Sequence, residues 1–307
     1  MEEPMTRKQL LALGWTDATI PRAEADGKLL RLRRGAWVTQ LPSNARELHV
    51  AAAEAARKAA KDGTVLSHWS AAALWGLPLP DGGAPEIYLT RDGKGGGLVK
   101  SDAHLVKAPL NRDEWCLKDG IPVTNLTRTV NDVARMAPFI DGVMVADALL
   151  RMKLPPHLLK DANLRARRWP GNAKARRVLD FADGRAESPY ESKCRVRLAE
   201  IGLSGFVPQC IVTDARGDEI GRIDLALAGI KLGLEYDGEG KYDELAAPGQ
   251  RPQDVFRCEK ERDTNLRQEG WWMQHLTKPH VKDLARFRRV VMTAHAAATR
   301  NQQRTSR

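Results

Sequence analysis

Apolar and polar positions repeat with two different periods along the chain, which predicts helices in some stretches and strands in others. Residues 45–61, "ARELHVAAAEAARKAAK", are rich in alanine and place Leu48, Ala52 and Ala56 on one helix face. Nearer the C-terminal end the pattern predicts a helix, three strands, a helix and a strand, at 189–202, 206–214, 220–227, 230–237, 253–269 and 271–276. We therefore expect an α/β multidomain protein.

The first forty residues have a compact pattern of their own. Thr6 precedes a helix, "RKQLLAL", that Gly14 ends, and a second helix is predicted from Thr16 to about Ala25. "KLLRLRRGAWV" then has the pattern of a strand, a turn and a strand. Two short helices followed by a basic hairpin predict a winged helix-turn-helix over residues 1–42, a unit that binds DNA or, alternatively, other proteins. Its predicted DNA-binding residues are Arg22, Lys28, Arg31, Arg33 and Arg34.

The remaining chain divides at two further places. Residues 45–183 mix helical and strand patterns and are predicted to form a mixed α/β module, after which "GRAESPYES" marks a boundary. Residues 186–290 form a third predicted domain, and 291–307 a basic tail. Within the middle module, "SHWSAAALWGL" contains adjacent Ser and His residues, but a helix cap with packing explains this stretch better than catalysis does.

The distribution of charge along the chain says more about function than the overall composition does. The chain of 307 residues has a formal net charge of +10, with 42% hydrophobic and 29% charged residues. Residues 151–180 contain nine basic and two acidic residues, whereas residues 181–250 contain eight basic and thirteen acidic ones. An acidic region beside a basic one suits a site that attracts a metal cation while its surroundings attract phosphate.

Several classes of protein are disfavoured by the sequence. The four cysteines lie far apart with no CxxC pair, so reduced thiols are expected rather than a zinc site or a disulfide framework. The longest apolar runs are too short for a membrane span, and "MEEPMTRKQL" does not have the pattern of a signal peptide. We therefore expect a cytoplasmic protein with no membrane partner.

The stretch "GRIDLALAGIKLGLEYDG" places carboxylates on two predicted strands. A two-residue loop at Ala228-Gly229 would pair Leu225 with Leu232 and Asp224 with Gly233. Asp224 and Glu235 would then be diagonal neighbours on one face, with the glycine leaving room for an ion. Crowded carboxylates need a cation between them, so Asp224, Glu235 and Asp237 are predicted ligands of Mg²⁺ (or Mn²⁺). The alternatives are a turn at Asp237-Gly238 and a cross-strand ion pair between Arg222 and Glu235.

Other charged residues near this hairpin are candidates for the same chemistry. Glu191 lies three residues after Ser188, which predicts a capping box, yet the helix that carries it could also direct Glu191 to the metal. Lys241 and Lys260 are candidate catalytic lysines, with Arg262 as a further cation able to reach a phosphate. Ion pairs on a helix surface are the alternative for each of these cations.

The segment from about 186 to 290 resembles the PD-(D/E)xK nuclease core, with its α-β-β-β-α-β order. More narrowly, "LEYDG", "EKERDTNLRQEGW" and "WMQHLT" are similar to pieces of the very-short-patch-repair (Vsr-like) endonuclease domains. The resemblance implies a deoxyribonuclease in which Asp224 and Glu235 hold Mg²⁺ and Glu191 is the helix acid. In this chain Asp237 stands where the family has its lysine, so Lys241 or Lys260 would have to supply that cation.

Residues 5–40, ending in "GAWV", resemble the N-terminal domain of AbiEi-type antitoxins, and "SHWSAAALWGL" resembles the segment that follows it there. That resemblance implies a repressor of its own operon, partnered by a nucleotidyltransferase toxin encoded nearby. Three hypotheses follow. The first is a DNA-binding, Mg²⁺-dependent endonuclease in phage defence or DNA repair. The second is an antitoxin-like repressor with a catalytically inert nuclease-like domain, and the third is an RNA nuclease.

Overall fold

The computed structural model describes residues 3–84, 86–95, 97–100, 103–214, 216–238 and 261–305. The chain divides into two units, Met1–Ala182 and Asp183–Arg307. Both units combine helices with sheets, which confirms the α/β class predicted from the sequence pattern. Among the described residues, no helix is both long enough and apolar enough to cross a bilayer.

The first unit contains a small sheet and a larger one. Its helices are α1 (Arg7–Ala12), α2 (Thr19–Ala25), α3 (Ala45–Lys58), α4 (His68–Leu74), α5 (Leu126–Met136), α6 (Phe139–Arg151), α7 (Pro156–Arg165) and α8 (Asn172–Phe181). Its strands are β1 (Met5–Thr6), β2 (Leu30–Arg33), β3 (Ala36–Val38), β4 (Thr64–Leu66), β5 (Tyr88–Arg91), β6 (Leu98–Lys100), β7 (Ala103–Lys107), β8 (Trp115–Lys118) and β9 (Ile121–Thr124). The sheet orders are β1-β3-β2 and β6-β7-β5-β4-β9-β8.

The small N-terminal sheet packs with α1 and α2. Thr6 caps α1 through a capping box with Gln9, which explains why the helix starts there. Leu10, Ile20 and Trp37 form the centre of a buried cluster that includes both helices and the hairpin β2–β3. The apolar positions of this short segment are therefore enough to hold two helices against a three-stranded sheet.

Two histidines of the first unit lie in desolvated surroundings. Nε2 of His49 lies 2.9 Å from Oγ of Ser70. His68 is buried at the start of α4, where its Nδ1 lies 3.0 Å from Oγ of Ser67, and that hydroxyl also accepts a hydrogen bond from Thr90. Burial lowers the pKa of His49 and that of His68 to about 4 in each case.

We expect these histidines to make the protein sensitive to acid. The unfolded chain binds their protons near pH 6.5, so their contribution to stability is present above that pH and is lost as the pH falls toward about 4. His49→Gln keeps a partner for Ser70 and should remove about 2 kcal/mol of the stability loss between about pH 7 and pH 5. Urea unfolding at the two pH values measures this difference. Equal losses in the variant and the wild type would contradict the assignment.

The second unit is a four-stranded sheet with helices on both faces. Its helices are α9 (Pro189–Glu200), α10 (residues 261–268), α11 (Lys278–Lys282) and α12 (Leu284–Thr305). Its strands β10 (Val207–Thr213), β11 (Glu219–Leu227), β12 (Leu232–Asp237) and β13 (Trp272–Thr277) lie in that order in the sheet. The first three are antiparallel, and β13 runs parallel to β12, so the chain crosses over between them. One buried cluster joins the sheet to α9 and α12, and another joins it to Leu266 of α10.

The predicted pairing of the central hairpin is wrong by two residues. Leu227 pairs with Leu232 and Leu225 with Leu234, so the loop has four residues rather than two. The loop forms a 3₁₀ turn followed by Lys231 in a left-handed conformation, while Gly229 does not take the positive φ that a two-residue turn needs. Gly233 faces Ala226 rather than Asp224, and a Cβ there would lie 2.6 Å from Sδ of Met273. The glycine makes room for Met273, not for an ion.

The segment predicted as a basic tail belongs to the core as far as it is described. Residues 291–305 continue helix α12, and Val291, Ala294 and Ala298 are buried against the sheet. These small apolar residues recur at intervals of three and four and continue the stripe that begins at Phe287. The polar sequence that follows, "RNQQRT", conceals this stripe.

Candidate functional site

The Asp224 and Glu235 carboxylates belong to neighbouring strands in the middle of the second sheet. Leu225 pairs with Leu234 in this antiparallel pair. Asp224, one residue before Leu225, and Glu235, one residue after Leu234, therefore lie next to each other across the two strands. Oδ2 of Asp224 accepts a hydrogen bond of 3.0 Å from the backbone N–H of Tyr236, which ties the aspartate to the next strand. Only 2% of the Glu235 surface is exposed. A carboxylate this buried requires partners.

Glu191 joins the same group from the start of α9. The Ser188 hydroxyl accepts from the Glu191 N–H at 3.1 Å, which is one half of the predicted capping box. The Glu191 carboxylate accepts from the N–H of Glu187 at 2.8 Å and from Nε2 of Gln209 at 2.7 Å. The same Gln209 amide lies 3.4 Å from Oδ1 of Asp224. Glu191 therefore both serves the cap and lies beside Asp224, linked to it through Gln209.

The electrostatics of these acids favour a bound cation. Burial raises the pKa of Glu191, and the nearby Asp224 charge raises it further. Burial likewise raises the pKa of Glu235 to about 7; Arg262 opposes that shift and Asp224 adds to it. The side chain of Arg262 forms an ion pair with Oε2 of Glu235. The single positive charge of Arg262 therefore offsets only part of the negative charge of Asp224 and Glu235.

A second group of side chains lies on the other side of Glu235. The parallel pairing of β12 with β13 places His275 beside Glu235. Nε2 of His275 lies 2.8 Å from Oδ2 of Asp263, and Nδ1 lies 3.1 Å from Oδ2 of Asp237. Hydrogen bonds to Asp237 and Asp263 raise the pKa of His275 to about 9 despite its burial. Ligand atoms of Glu235, Asp263 and His275 all lie within 4.8 Å of one another.

The donor set fits a hard divalent cation. Within the part of the chain that the structure describes, three buried oxygens have no hydrogen-bond donor: Oε1 of Glu235, Oδ1 of Asp263 and Oε1 of Gln209. Carboxylate and amide oxygens are the ligands that Mg²⁺ and Mn²⁺ prefer, whereas His275 could bind a metal only after losing a proton, because its raised pKa keeps the ring protonated near neutral pH. Asp237, predicted as a ligand, contacts Nδ1 of His275, and Asp263 contacts Nε2 of the same ring.

The remaining predicted residues have different surroundings. Lys241 and Lys260 lie outside the described residues. In the first unit, Arg22, Lys28, Arg31 and Arg34 are exposed. Arg33 is half-buried and donates to the backbone carbonyl of Ala55 at 3.3 Å. Two others have contacts as well: the Arg31 guanidinium lies 5.8 Å from the ring centroid of Trp37, and Nζ of Lys28 lies 3.6 Å from Oδ2 of Asp26.

Three residues of this site escaped prediction from the sequence: Gln209, Asp263 and His275. Gln209 has a φ of 52°, a left-handed conformation that is uncommon for glutamine and that nothing in "VPQCIVT" indicates. His275 is a titratable residue within the predicted strand "WMQHLT", and this position is the one sequence feature that could have indicated it. Asp263 reaches the site only because the crossover between β12 and β13 brings α10 over the sheet.

Comparisons with known proteins give relatives without an assigned function. No family model matches the chain. Uncharacterized proteins MT2308 and Rv2248, from two Mycobacterium tuberculosis strains, are each 31% identical over 145 residues, which is 47% of this chain and 50% of theirs. The chain thus spans about half the length of these curated relatives. The crystal structure of Rv2827c from Mycobacterium tuberculosis aligns with 68% of this chain and 79% of its own, at 17% identity and a TM-score of 0.40.

Proposed function

We propose that this protein is a DNA-binding, metal-dependent endonuclease that hydrolyses phosphodiester bonds at Asp224 and Glu235. One observation carries the proposal: Glu191, Asp224 and Glu235 converge in a buried site where the pKa values of both glutamates are raised. Buried carboxylates that repel one another are stabilised by a divalent cation, and such a cation favours phosphate chemistry. Phage defence or DNA repair would be the setting for this activity.

The topology of the second unit supports the same proposal. A helix, three antiparallel strands, a crossover that contains α10 and a parallel fourth strand follow the α-β-β-β-α-β order of the PD-(D/E)xK nucleases. In that arrangement the acids of the second and third strands meet beside the first helix. Asp224 lies on β11, Glu235 on β12 and Glu191 on α9, which supports the proposal.

The chain's own residues have separate roles in the proposed reaction. Asp224 and Glu235 would hold Mg²⁺ or Mn²⁺, which when bound activates a water and offsets the charge that develops on the phosphate. Gln209 orients Asp224 and Glu191 through its amide group. Arg262, which forms an ion pair with Glu235, would bind a phosphate oxygen in place of the family's lysine, whose position Asp237 occupies in this chain.

The exposed cations of the first unit support binding to DNA. We expect replacement of Arg22, Lys28, Arg31 and Arg34 by glutamine to weaken duplex binding in a salt-dependent way. The slope of log K against log salt should fall in magnitude by roughly 0.9 for each phosphate contact that is lost. Fluorescence anisotropy between about 50 and 200 mM salt measures the slope. Arg33→Gln should instead lower the melting temperature with little change in slope, because Arg33 bonds to Ala55.

Nicking of supercoiled plasmid by the full chain tests the proposed function. Conversion to open-circular DNA should require Mg²⁺ or Mn²⁺ and stop in EDTA. Absence of cleavage with every divalent metal, on DNA and on RNA, would overturn the proposal.

The alternative is an antitoxin-like repressor with an inert nuclease-like domain and a toxin partner encoded nearby. The observation that favours it is Asp237, which stands in the position of the family's lysine and contacts His275. Protection of its own promoter in footprinting, without cleavage, would support this alternative.

A further inference from the structure

A basic cavity of about 610 Å³ lies in the first unit and is lined by no residue of the proposed nuclease site. It is formed at the end of α7 and in the turn that leads to α8. Its lining contains no acidic residue and consists of Asn111, Leu164, Arg165, Arg167, Arg168 and Trp169. Cavities of this size hold ligands of about the size of a nucleotide.

Two arginines of α5 hold Trp169, the aromatic residue of the lining. The guanidinium of Arg128 lies 4.4 Å from the ring centroid of Trp169, and that of Arg135 lies 4.9 Å from it. Both arginines form ion pairs with buried Asp132, at 2.9 and 2.6 Å. Arg135 also donates to the Pro170 carbonyl at 3.0 Å, which fixes the turn after Trp169. The tryptophan is therefore positioned before any ligand arrives.

The three arginines of the lining differ in their partners from Arg128 and Arg135, which contact Trp169. Arg165, Arg167 and Arg168 are exposed, and within the described part of the chain none of them forms an ion pair. Arg128 and Arg135 are each ion-paired with Asp132 inside the first unit. Three guanidinium groups around one cavity without an acidic partner repel one another, and an anion between them relieves that repulsion.

We propose that this cavity binds a phosphate group, carried either by a free nucleotide or by a nucleic-acid backbone. Arginine's planar fork of donors matches phosphate oxygens in a bidentate manner, and Asn111 adds an amide beside them. Leu164 and Trp169 supply the apolar surface that a sugar or base would contact. The inference is independent of the nuclease proposal, because it involves no residue of the carboxylate site.

The full chain with Arg165, Arg167 and Arg168 all changed to glutamine tests this inference. The matched control changes Arg286, Arg288 and Arg289 of α12 to glutamine, which removes the same charge from three exposed arginines of the second unit. The probes are ADP, followed by calorimetry, and a fluorescent 20-base-pair duplex, followed by anisotropy, both in EDTA. Melting temperatures establish that each variant is folded, and single substitutions give the same test if a triple variant is not.

The cavity variant should bind at least one probe about tenfold more weakly than the wild type, and the control within about twofold. A loss confined to ADP assigns a nucleotide site; a loss confined to the duplex, with a salt slope lowered by about two, assigns a backbone site. Unchanged binding of both probes, or equal losses in the cavity variant and the control, would overturn the inference.

Discussion

Asp224→Asn and Glu235→Gln are each expected to reduce metal-dependent plasmid nicking by about 10³-fold or more, roughly 4 kcal/mol of activation free energy. Both changes keep the side-chain volume and remove one negative charge from a site that includes Glu191. Without that charge the site no longer holds a divalent cation at the phosphate. Duplex binding in EDTA should be unchanged, since the residues proposed to bind DNA lie in the first unit.

The matched control for this prediction is Glu219→Gln. Glu219 lies on the same strand as Asp224 and is exposed, so its replacement should leave the nicking rate within about twofold of the wild type. Nicking that survives both Asp224→Asn and Glu235→Gln would place hydrolysis at another site. Equal losses in Glu219→Gln would indicate a general effect of charge rather than a catalytic site.

The sequence placed Asp224 and Glu235 together although the pairing it predicted was wrong. Side chains alternate between the two faces of a strand, so a shift of one residue would have moved one acid to the opposite face. The actual shift is two residues, from a two-residue loop to the four residues 228–231. A shift of two conserves the face, and the acids therefore remain neighbours. The local pattern of a hairpin is readable in this way because its partners are close along the chain.

The rest of the site depends on contacts between distant parts of the chain. His275 and Asp237 are 38 residues apart and meet only because β13 runs parallel to β12 with Glu235 opposite His275. No local pattern encodes the register of a parallel pair, since it is set by the crossover between the strands. The position of Gln209 could not be predicted for a different reason. Its left-handed backbone conformation is imposed by its surroundings and is one that glutamine rarely adopts.

In the metal-free protein, the buried acids that the proposed function requires lower the free energy of unfolding. Glu235 is almost fully buried, one of its oxygens has no donor among the described residues, and its other oxygen is paired with a partly exposed Arg262. A side chain selected for packing alone would not be charged here, because a buried charge with incomplete compensation is destabilising. The site therefore predicts a variant that gains stability while it loses activity.

In EDTA at about pH 8, Glu235→Gln is expected to be more stable than the wild type by about 3 kcal/mol. The pKa of Glu235 rises from an ordinary value of 4.5 to about 7 in the folded protein. Its stabilising contribution is therefore present below pH 4.5 and is lost as the pH rises through about 7. Glutamine carries no such proton, so in urea unfolding the advantage of the variant should fall to about 1 kcal/mol or less near pH 5. Without EDTA, Mn²⁺ at about 100 times its Kd should raise the free energy of unfolding of the wild type by about 2.7 kcal/mol and leave that of the variant unchanged. A variant less stable than the wild type in EDTA at pH 8 would contradict the assignment.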